Sequence, residues 1–252
     1  MKQRREIMEF AREVHDRIDA NSQNETLLES AGAFMKASTT PKYSYNFTWL
    51  GRPIIQYPQD IVAMQELIWS VQPDLIIETG IAHGGSLIFL ASMLELNAAC
   101  GGPSNAAVLG IDIDIRPYNR EEIESHSMFK RISLIQGSST DPNVIEQVRV
   151  HAENRQRVLV CLDSNHTHDH VLAELQSYAP FVSVGSYCVA FDTIIEDLPA
   201  DMFPDRPWGP GNNPKTAVKE YLKSHPEFEI DKQMDHKLLI SVARDGFLKR
   251  VR

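Results

Sequence analysis

The chain has 252 residues, of which 42% are hydrophobic and 23% are charged, a composition typical of one large α/β domain with end extensions. Acidic residues outnumber basic ones by 34 to 25, and the formal charge of −9 argues against a protein that binds nucleic-acid phosphates through a positive surface. Since no run of about 18 apolar residues predicts a membrane span, we expect a cytoplasmic protein with a small-molecule substrate.

The N-terminal segment is predicted to be helical. Over residues 5–19, apolar residues recur at helical spacing between charged ones, which predicts an amphipathic helix. Polar runs at residues 21–26 and 38–45 predict loops. We therefore interpret residues 1–48 as a helical extension and loop, which precede a single domain at residues 49–252.

After residue 58, helical patterns alternate with apolar strand patterns. The strands are near-continuous apolar runs, which is typical of a parallel sheet covered on both faces. Residues 228–230 and 237–242 predict antiparallel edge strands. The pattern therefore predicts a Rossmann-like, doubly wound, mostly parallel α/β sheet. The predicted helices are residues 59–71, 86–96, about 120–125, 142–152, 168–178 and 217–223, and the strands are residues 75–78, 108–112, 132–136, 158–163 and 187–191.

Three of the predicted strands end in a carboxylate, namely Glu78, Asp112 and Asp163. In a doubly wound sheet, ligands bind beyond the carboxyl ends of the strands. The three side chains are therefore expected to lie along one rim. An acidic rim of this kind suits a cationic cofactor.

A glycine-rich turn at residues 80–86 follows the first of these strands. Its glycines depart from the G-x-G-x-x-G spacing of dinucleotide sites, so pyrophosphate is a less favoured ligand. With Glu78 near the sulfonium-bearing amino acid and Asp112 on the ribose hydroxyls, the turn resembles motifs I and II of class I methyltransferases, which implies S-adenosylmethionine as cofactor. The alternatives are a tight turn without a ligand and an Asp112 that only caps the next segment. The candidate cofactor residues are Glu78, Gly80, Ala82, Gly84, Ser86, Asp112, Ser138 and Asp163.

A second dense group of polar residues starts at Asp163, with His166 three residues later. Methyl transfer to a hydroxyl requires removal of its proton, which a neutral histidine performs as general base and a divalent cation assists. His166 is the candidate base and Asp163 the second catalytic candidate. Alternatively, His166 caps the following helix, and His168 and His170 are solvated helix residues.

Asp192 ends the strand expected beside the Asp163 strand, so the two carboxylates are candidates to share a hard cation such as Mg²⁺. A zinc site is the rival because three histidines lie nearby, although no cysteine accompanies them. Glu196 and Asp197 are either surface charges or additional ligands.

Residues 207–214 form a stiff segment rich in proline and glycine, long enough to cover the site as a lid. Trp208 and Asn212 are the substrate candidates here, because an exposed tryptophan suits stacking on a sugar ring. The alternative is an ordinary connection with Trp208 buried.

These residues together make the chain resemble the cephalosporin hydroxylase and rhamnosyl O-methyltransferase family, from about residue 49 to the end. The resemblance implies a metal-binding role for Asp163, a base role for His166 and a large homo-oligomer. The family's Mg²⁺-dependent sugar O-methyltransferases carry a Glu-Asp pair where this chain reads Phe191-Asp192. The matching stretches are residues 49–51, 56–60, 77–80, 84–86, 110–114, 162–166 and 209–214.

The leading hypothesis is methyl transfer from S-adenosylmethionine to a sugar hydroxyl, on a deoxysugar such as rhamnose in a natural product or a cell-surface glycan. Two alternatives remain open at this point. One is an accessory role in hydroxylation or methoxylation of a β-lactam nucleus, and the other is a non-catalytic protein that binds S-adenosylmethionine.

Overall fold

A computed structural model of the chain describes residues 2–252, with side chains from Glu6 onward. A seven-stranded sheet lies at the centre in the order β5-β4-β3-β6-β7-β9-β8, and a separate hairpin pairs β1 with β2. The strands are β1 Phe47–Trp49, β2 Arg52–Ile54, β3 Leu75–Thr79, β4 Ala107–Asp112, β5 Ile132–Gln136, β6 Val158–Leu162, β7 Tyr187–Ala190, β8 Phe228–Ile230 and β9 Phe247–Arg250.

Five strands, β3 to β7, pair in parallel, while β9 runs antiparallel to both β7 and β8. The register aligns Thr79 at the end of β3 with Ile111 in β4 and Leu162 in β6. The ends of three strands therefore open on one edge. The predicted doubly wound, mostly parallel sheet is confirmed.

Helices cover both faces of the sheet, because neighbouring residues of each strand point to opposite sides. Ile76 packs with α3 and α4 in one core cluster, whereas Ile77 packs with α6, α7 and α8 in the other. The helices of residues 2–252 are α1 Lys2–Asn21, α2 Glu25–Thr39, α3 Pro58–Val71, α4 Gly85–Ala99, α5 Pro117–Glu124, α6 Pro142–Ala152, α7 His168–Tyr178, α8 Pro214–Tyr221 and α9 Lys232–Leu238.

The N-terminal extension contains two helices rather than one. The second, α2, was not predicted, and it begins inside the loop expected at residues 21–26, where the Asn24 side chain accepts a hydrogen bond from the Leu27 N–H. It buries Ala31, Met35 and Ser38, which lie at helical spacing on one face. The domain boundary predicted after residue 48 falls within β1 and stays a prediction.

The strand predicted at residues 237–242 is wrong. Helix α9 ends at Leu238, a loop follows, and β9 forms the antiparallel edge with β8 instead. The apolar run was misleading because Ile240 and Val242 pack in a small core cluster with Met35. The Val242 N–H donates to the Asp60 carboxylate at 3.0 Å, which holds this loop against α3.

Within residues 2–252, no helix is both long enough and apolar enough to cross a lipid bilayer.

Candidate active site

A cavity of about 580 Å³ opens at the carboxyl ends of the parallel strands. Eight predicted site residues line it, whereas Glu78, Gly84, Ser138 and Asn212 do not. The cavity therefore brings together the glycine-rich turn at residues 80–86 and the group of polar residues that starts at Asp163. The lining residues among the predictions are Gly80, Ala82, Ser86, Asp112, Asp163, His166, Asp192 and Trp208.

The turn after β3 passes very close to the loop that carries Asp163. Gly80 has φ +82°, and a Cβ at this position would lie 2.1 Å from the Asp163 carbonyl oxygen. Only glycine permits this approach at this backbone conformation. The turn and the loop after β6 therefore form one wall of the cavity.

Asp112 fixes the turn through its carboxylate. One oxygen accepts from the Ile81 N–H at 2.9 Å, and the other accepts from the Asp114 N–H at 2.9 Å. The second hydrogen bond closes a local turn, but the next helix, α5, has Arg116 at its N-cap, so Asp112 does not cap that helix. Asp112 also lines the cavity, so its role in binding a ribose stays a prediction.

Arg52 and Asn119 also hold the turn, and the sequence analysis missed both. The Arg52 guanidinium donates to the His83 carbonyl at 2.6 and 3.1 Å, and the Asn119 amide donates to the Ala82 carbonyl at 3.1 Å. These contacts support Ala82 at φ +42°, a conformation that non-glycine residues rarely adopt. The hydrogen-bonded partners lie 31 and 37 residues apart in the chain, so no local sequence pattern predicts these contacts.

Glu78 lies behind the turn, not in the cavity wall. It is buried, and burial raises the pKa of its carboxyl to about 8, although a hydrogen bond from Ser86 opposes the shift. One of its oxygens has no hydrogen-bond partner, and it faces a water-sized cavity shared with Gln56, Asp60 and Phe191. A hydrogen-bond donor in this small cavity would satisfy the unpaired side-chain oxygens of Glu78, Gln56 and Asp60.

Asp60, a second buried carboxyl at the small cavity, was not predicted as a site residue. Burial raises its pKa to about 7, against hydrogen bonds from Ser241 and the Val242 N–H. The folded protein binds the Asp60 proton more tightly than the unfolded chain does. Protonated Asp60 therefore stabilises the fold fully below about pH 4, and this stabilisation is lost as the pH rises through about 7.

We expect Asp60→Asn, which cannot ionise, to become progressively more stable than the native protein between pH 4 and 7, with a constant difference above that range. Denaturant unfolding at pH 5 and pH 8 measures this difference. Asp16→Asn, which removes an exposed carboxylate on α1, is the control. A difference that shrinks as the pH rises would contradict the assignment.

Asp163, His166 and Asp192 form the cluster at the centre of the cavity. Each offers one ligand atom, and the three atoms lie within 4.8 Å of one another. The His166 Nε2 atom is 3.1 Å from Asp192 Oδ2. Asp192 adopts φ +56°, which turns the chain sharply after β7 and brings its carboxylate to the imidazole.

Negative charge is concentrated at this cluster. The pKa of Asp163 is raised well above its usual range, first by burial and then by the charges of Asp192 and Glu78. The Gln56 amide donates to Asp163 Oδ2 at 3.3 Å, a contact that the sequence analysis missed. Two adjacent carboxylates with no cationic side chain between them fit a hard divalent cation.

The other two histidines of the 166–170 segment turn away from the cluster. His168 Nδ1 is 2.8 Å from the Thr216 hydroxyl, and its Nε2 is 3.3 Å from Glu220. His170 Nε2 is 3.1 Å from the hydroxyl of Ser164. The three histidines therefore do not converge as the zinc alternative required.

Glu196 and Asp197 anchor the lid segment instead of extending the cluster. The Glu196 carboxylate accepts from the Gly211 N–H at 2.7 Å and from the Asn213 amide. Asp197 pairs with Lys215 at 2.8 Å. This geometry does not support the alternative that Glu196 and Asp197 are additional metal ligands.

The lid places Trp208 against the cluster. Its ring meets the His166 ring edge-on, with centroids 4.7 Å apart. Asn212 instead accepts from the His168 N–H at 2.9 Å and donates to the Pro207 carbonyl at 2.7 Å, which stiffens the lid.

Ser138, a predicted cofactor residue after β5, does not line the cavity. Its hydroxyl lies 3.0 Å from the Thr140 hydroxyl.

The N-terminal extension supplies another part of the cavity wall, a placement that was not predicted. Met35 and Thr39 on α2 line the cavity, and so do Lys42 and Tyr45 in the following segment. The helical spacing of α2 does not determine which part of the domain the helix contacts.

Comparison with known proteins gives a consistent result. The model of the rhamnosyl O-methyltransferase/CmcI family matches residues 41–251. A rhamnosyl O-methyltransferase of Mycobacterium tuberculosis is 31% identical over 208 residues, which cover 81% of this chain and 78% of the relative. The apo structure of CmcI has a TM-score of 0.57 at 20% identity and covers 82% of this chain and 77% of that one. A Mg-SAM structure of CmcI has a TM-score of 0.57 at 19% identity, with coverages of 82% and 78%.

Proposed function

Because the chain belongs to the rhamnosyl O-methyltransferase/CmcI family, we propose that it transfers a methyl group from S-adenosylmethionine to a sugar hydroxyl. The chain is an S-adenosylmethionine-dependent O-methyltransferase with the class I fold. The proposed acceptor is a deoxysugar such as rhamnose, in a natural product or a cell-surface glycan. One observation carries the proposal: the Asp163, His166 and Asp192 cluster opens on the same cavity as the glycine turn.

On the donor side, the turn at residues 80–86 holds the amino-acid and sulfonium part of the cofactor, and Asp112 holds the ribose. The hydrogen bonds of Asp112 to backbone N–H groups orient its carboxylate toward the cavity. Glu78 supports the turn from behind, as a buried carboxyl whose pKa is raised to about 8. Ser138 and Gly84 remain candidates that act at the margin of this subsite.

We expect Asp112→Asn to weaken binding of S-adenosylhomocysteine about tenfold to a hundredfold, since charge-assisted hydrogen bonds to the ribose are lost. Isothermal titration calorimetry measures the change. Asp114→Asn, two residues later on the exposed side of the same loop, is the matched control and keeps the native affinity. Equal weakening in both variants would show that Asp112 acts only on the fold of the loop.

On the acceptor side, His166 removes the hydroxyl proton as the oxygen attacks the methyl carbon. The bond from carbon to sulfur breaks, the sulfonium becomes a neutral thioether, and the proton remains on the imidazole. Asp192, whose Oδ2 atom lies 3.1 Å from Nε2 of His166, stabilises the imidazolium that forms.

Asp163 and Asp192 are the residues that would hold Mg²⁺. A cation there supplies Lewis acidity that lowers the pKa of the acceptor hydroxyl. Trp208 covers His166 and packs against the acceptor ring, which keeps water from the reacting oxygen. Asn212 contributes by holding the lid in place.

The function is tested with purified protein, labelled S-adenosylmethionine and a panel of rhamnosides and nucleotide sugars, each with and without Mg²⁺. We expect label in at least one glycoside and S-adenosylhomocysteine as the second product. No transfer to any member of the panel under either condition would count against sugar O-methylation.

No feature of the site favours a role in β-lactam hydroxylation. In the described part of the chain, the candidate metal cluster contains one histidine and two carboxylates. Iron-dependent oxygenases of the facial-triad type use two histidines and one carboxylate.

Self-association is also part of the proposal. Ile7, Met8 and Phe10 on α1 stay exposed in the protomer, each by more than 60%. We propose that they pack between copies in a homo-oligomer, because large apolar side chains grouped on one helix favour burial. Light scattering of the purified chain measures the assembly. The cytoplasmic location stays a prediction.

A further inference from the structure

Both acidic and basic side chains line the cavity. The acidic residues include Asp112, Asp163 and Asp192. The cationic residues are Lys42, in the segment after α2, and Arg206, just before the lid. The acidic residues suit a sulfonium cofactor, so the two cations call for a separate explanation.

Lys42 is held in a fixed position at the cavity wall. Its φ of +55° is unusual for a lysine, and two backbone hydrogen bonds maintain it, from its own N–H to Thr39 and from the Tyr45 N–H to its carbonyl. The ammonium lies 5.4 Å from the centre of the Tyr45 ring. The local fold therefore directs a cation and an aromatic ring to one place.

Arg206 makes a similar pair at the lid. Its guanidinium lies 5.2 Å from the centre of the Trp208 ring, and that ring contacts His166. One aromatic residue therefore separates the guanidinium from the candidate base.

Both cations are free of carboxylate partners among residues 6–252. None of the ion pairs within 4.0 Å involves Lys42 or Arg206, although Asp205 also lines the cavity. By contrast, Lys215 contacts two aspartates. In a chain with a formal charge of −9, an anionic ligand is repelled at long range and requires local positive charge to bind.

We propose that the sugar acceptor carries an anionic group, a phosphate or a carboxylate, which Lys42 and Arg206 bind in the cavity that also holds the donor. The inference rests on the proposed function, since it identifies the class of acceptor for the same cavity. The two side chains select the substrate and take no part in the chemical step.

A matched pair of acceptors tests the proposal, phenyl rhamnoside and 4-carboxyphenyl rhamnoside, with a nucleoside diphosphate rhamnose as the phosphate-bearing probe. We expect the native protein to prefer an anionic acceptor over phenyl rhamnoside by about tenfold in kcat/KM, the range for two partly exposed charges. The preference is expected to decline as salt is added. Which anionic probe is preferred distinguishes a carboxylate from a diphosphate.

The double variant Lys42→Gln/Arg206→Gln is expected to lose the preference, because its kcat/KM with the anionic acceptors falls about tenfold relative to that with phenyl rhamnoside. Lys36→Gln, an exposed lysine on α2 outside the cavity, is the control and keeps the preference. Equal kcat/KM for charged and neutral acceptors in the native protein would overturn the proposal, as would a preference that survives in the double variant. Neither result contradicts the proposal of sugar O-methylation, which is contradicted only if no rhamnoside is methylated.

Discussion

Replacing Gly80 by alanine is expected to abolish donor binding and to destabilise the protein by about 3 kcal/mol or more. The added Cβ would lie 2.1 Å from the Asp163 carbonyl oxygen and 2.7 Å from Ser164 Cα, so backbone must move. Since this contact joins the turn after β3 to the loop after β6, the displacement disrupts the donor subsite and the cluster together.

The variant Gly101→Ala is the control, because it places a Cβ at a positive φ without a clash and so measures the cost of the backbone conformation alone. Gly101 has φ +92°, close to that of Gly80, yet a Cβ there meets no atom within 4 Å. We expect this control to lose only about 1–2 kcal/mol and to bind S-adenosylhomocysteine normally. Denaturant unfolding and calorimetric titration of both variants measure the two effects. Similar losses of stability and affinity in the two variants would show that the close approach at Gly80 is unimportant.

His166→Ala is expected to lower kcat by about 10²- to 10⁴-fold, because the proton of the acceptor hydroxyl loses its base. Binding of S-adenosylhomocysteine should stay within about threefold of native, since the donor subsite at the turn does not include His166. Asp192→Asn is also expected to lower kcat, since the imidazole loses the charge of its 3.1 Å partner and the proposed Mg²⁺ site loses one of its two carboxylates.

His151→Ala is the control, since this histidine is exposed on α6 away from the cavity. Steady-state kinetics with a methylated rhamnoside as product gives kcat, and calorimetry gives the affinity. Native kcat in His166→Ala would remove the proposed base from the mechanism. A parallel loss of kcat and cofactor affinity would instead indicate a structural role.

The strand-end rule explains why much of the site is visible in the sequence. Asp112 and Asp163 follow apolar strands, and parallel strands place such ends on one edge. His166 follows Asp163 closely enough that the same loop carries both. These residues are predictable because a short segment of chain determines where each one lies.

Other parts of the site depend on distant contacts. Arg52 and Gln56 reach the turn and Asp163 from outside the alternating strand and helix pattern. The wall formed by α2 depends on how that helix packs against distant parts of the chain, which its own residues do not determine. The apolar loop before β9 resembles a strand because burial requires the same residue types in a loop.

A crystal structure with S-adenosylhomocysteine and Mg²⁺ bound would show the donor and acceptor sides of the cavity together. We expect the ribose on Asp112, the thioether sulfur facing the cluster of Asp163, His166 and Asp192, and the cation on Asp163 and Asp192. A cofactor whose sulfur points away from His166, or one bound outside the cavity, would contradict this expectation.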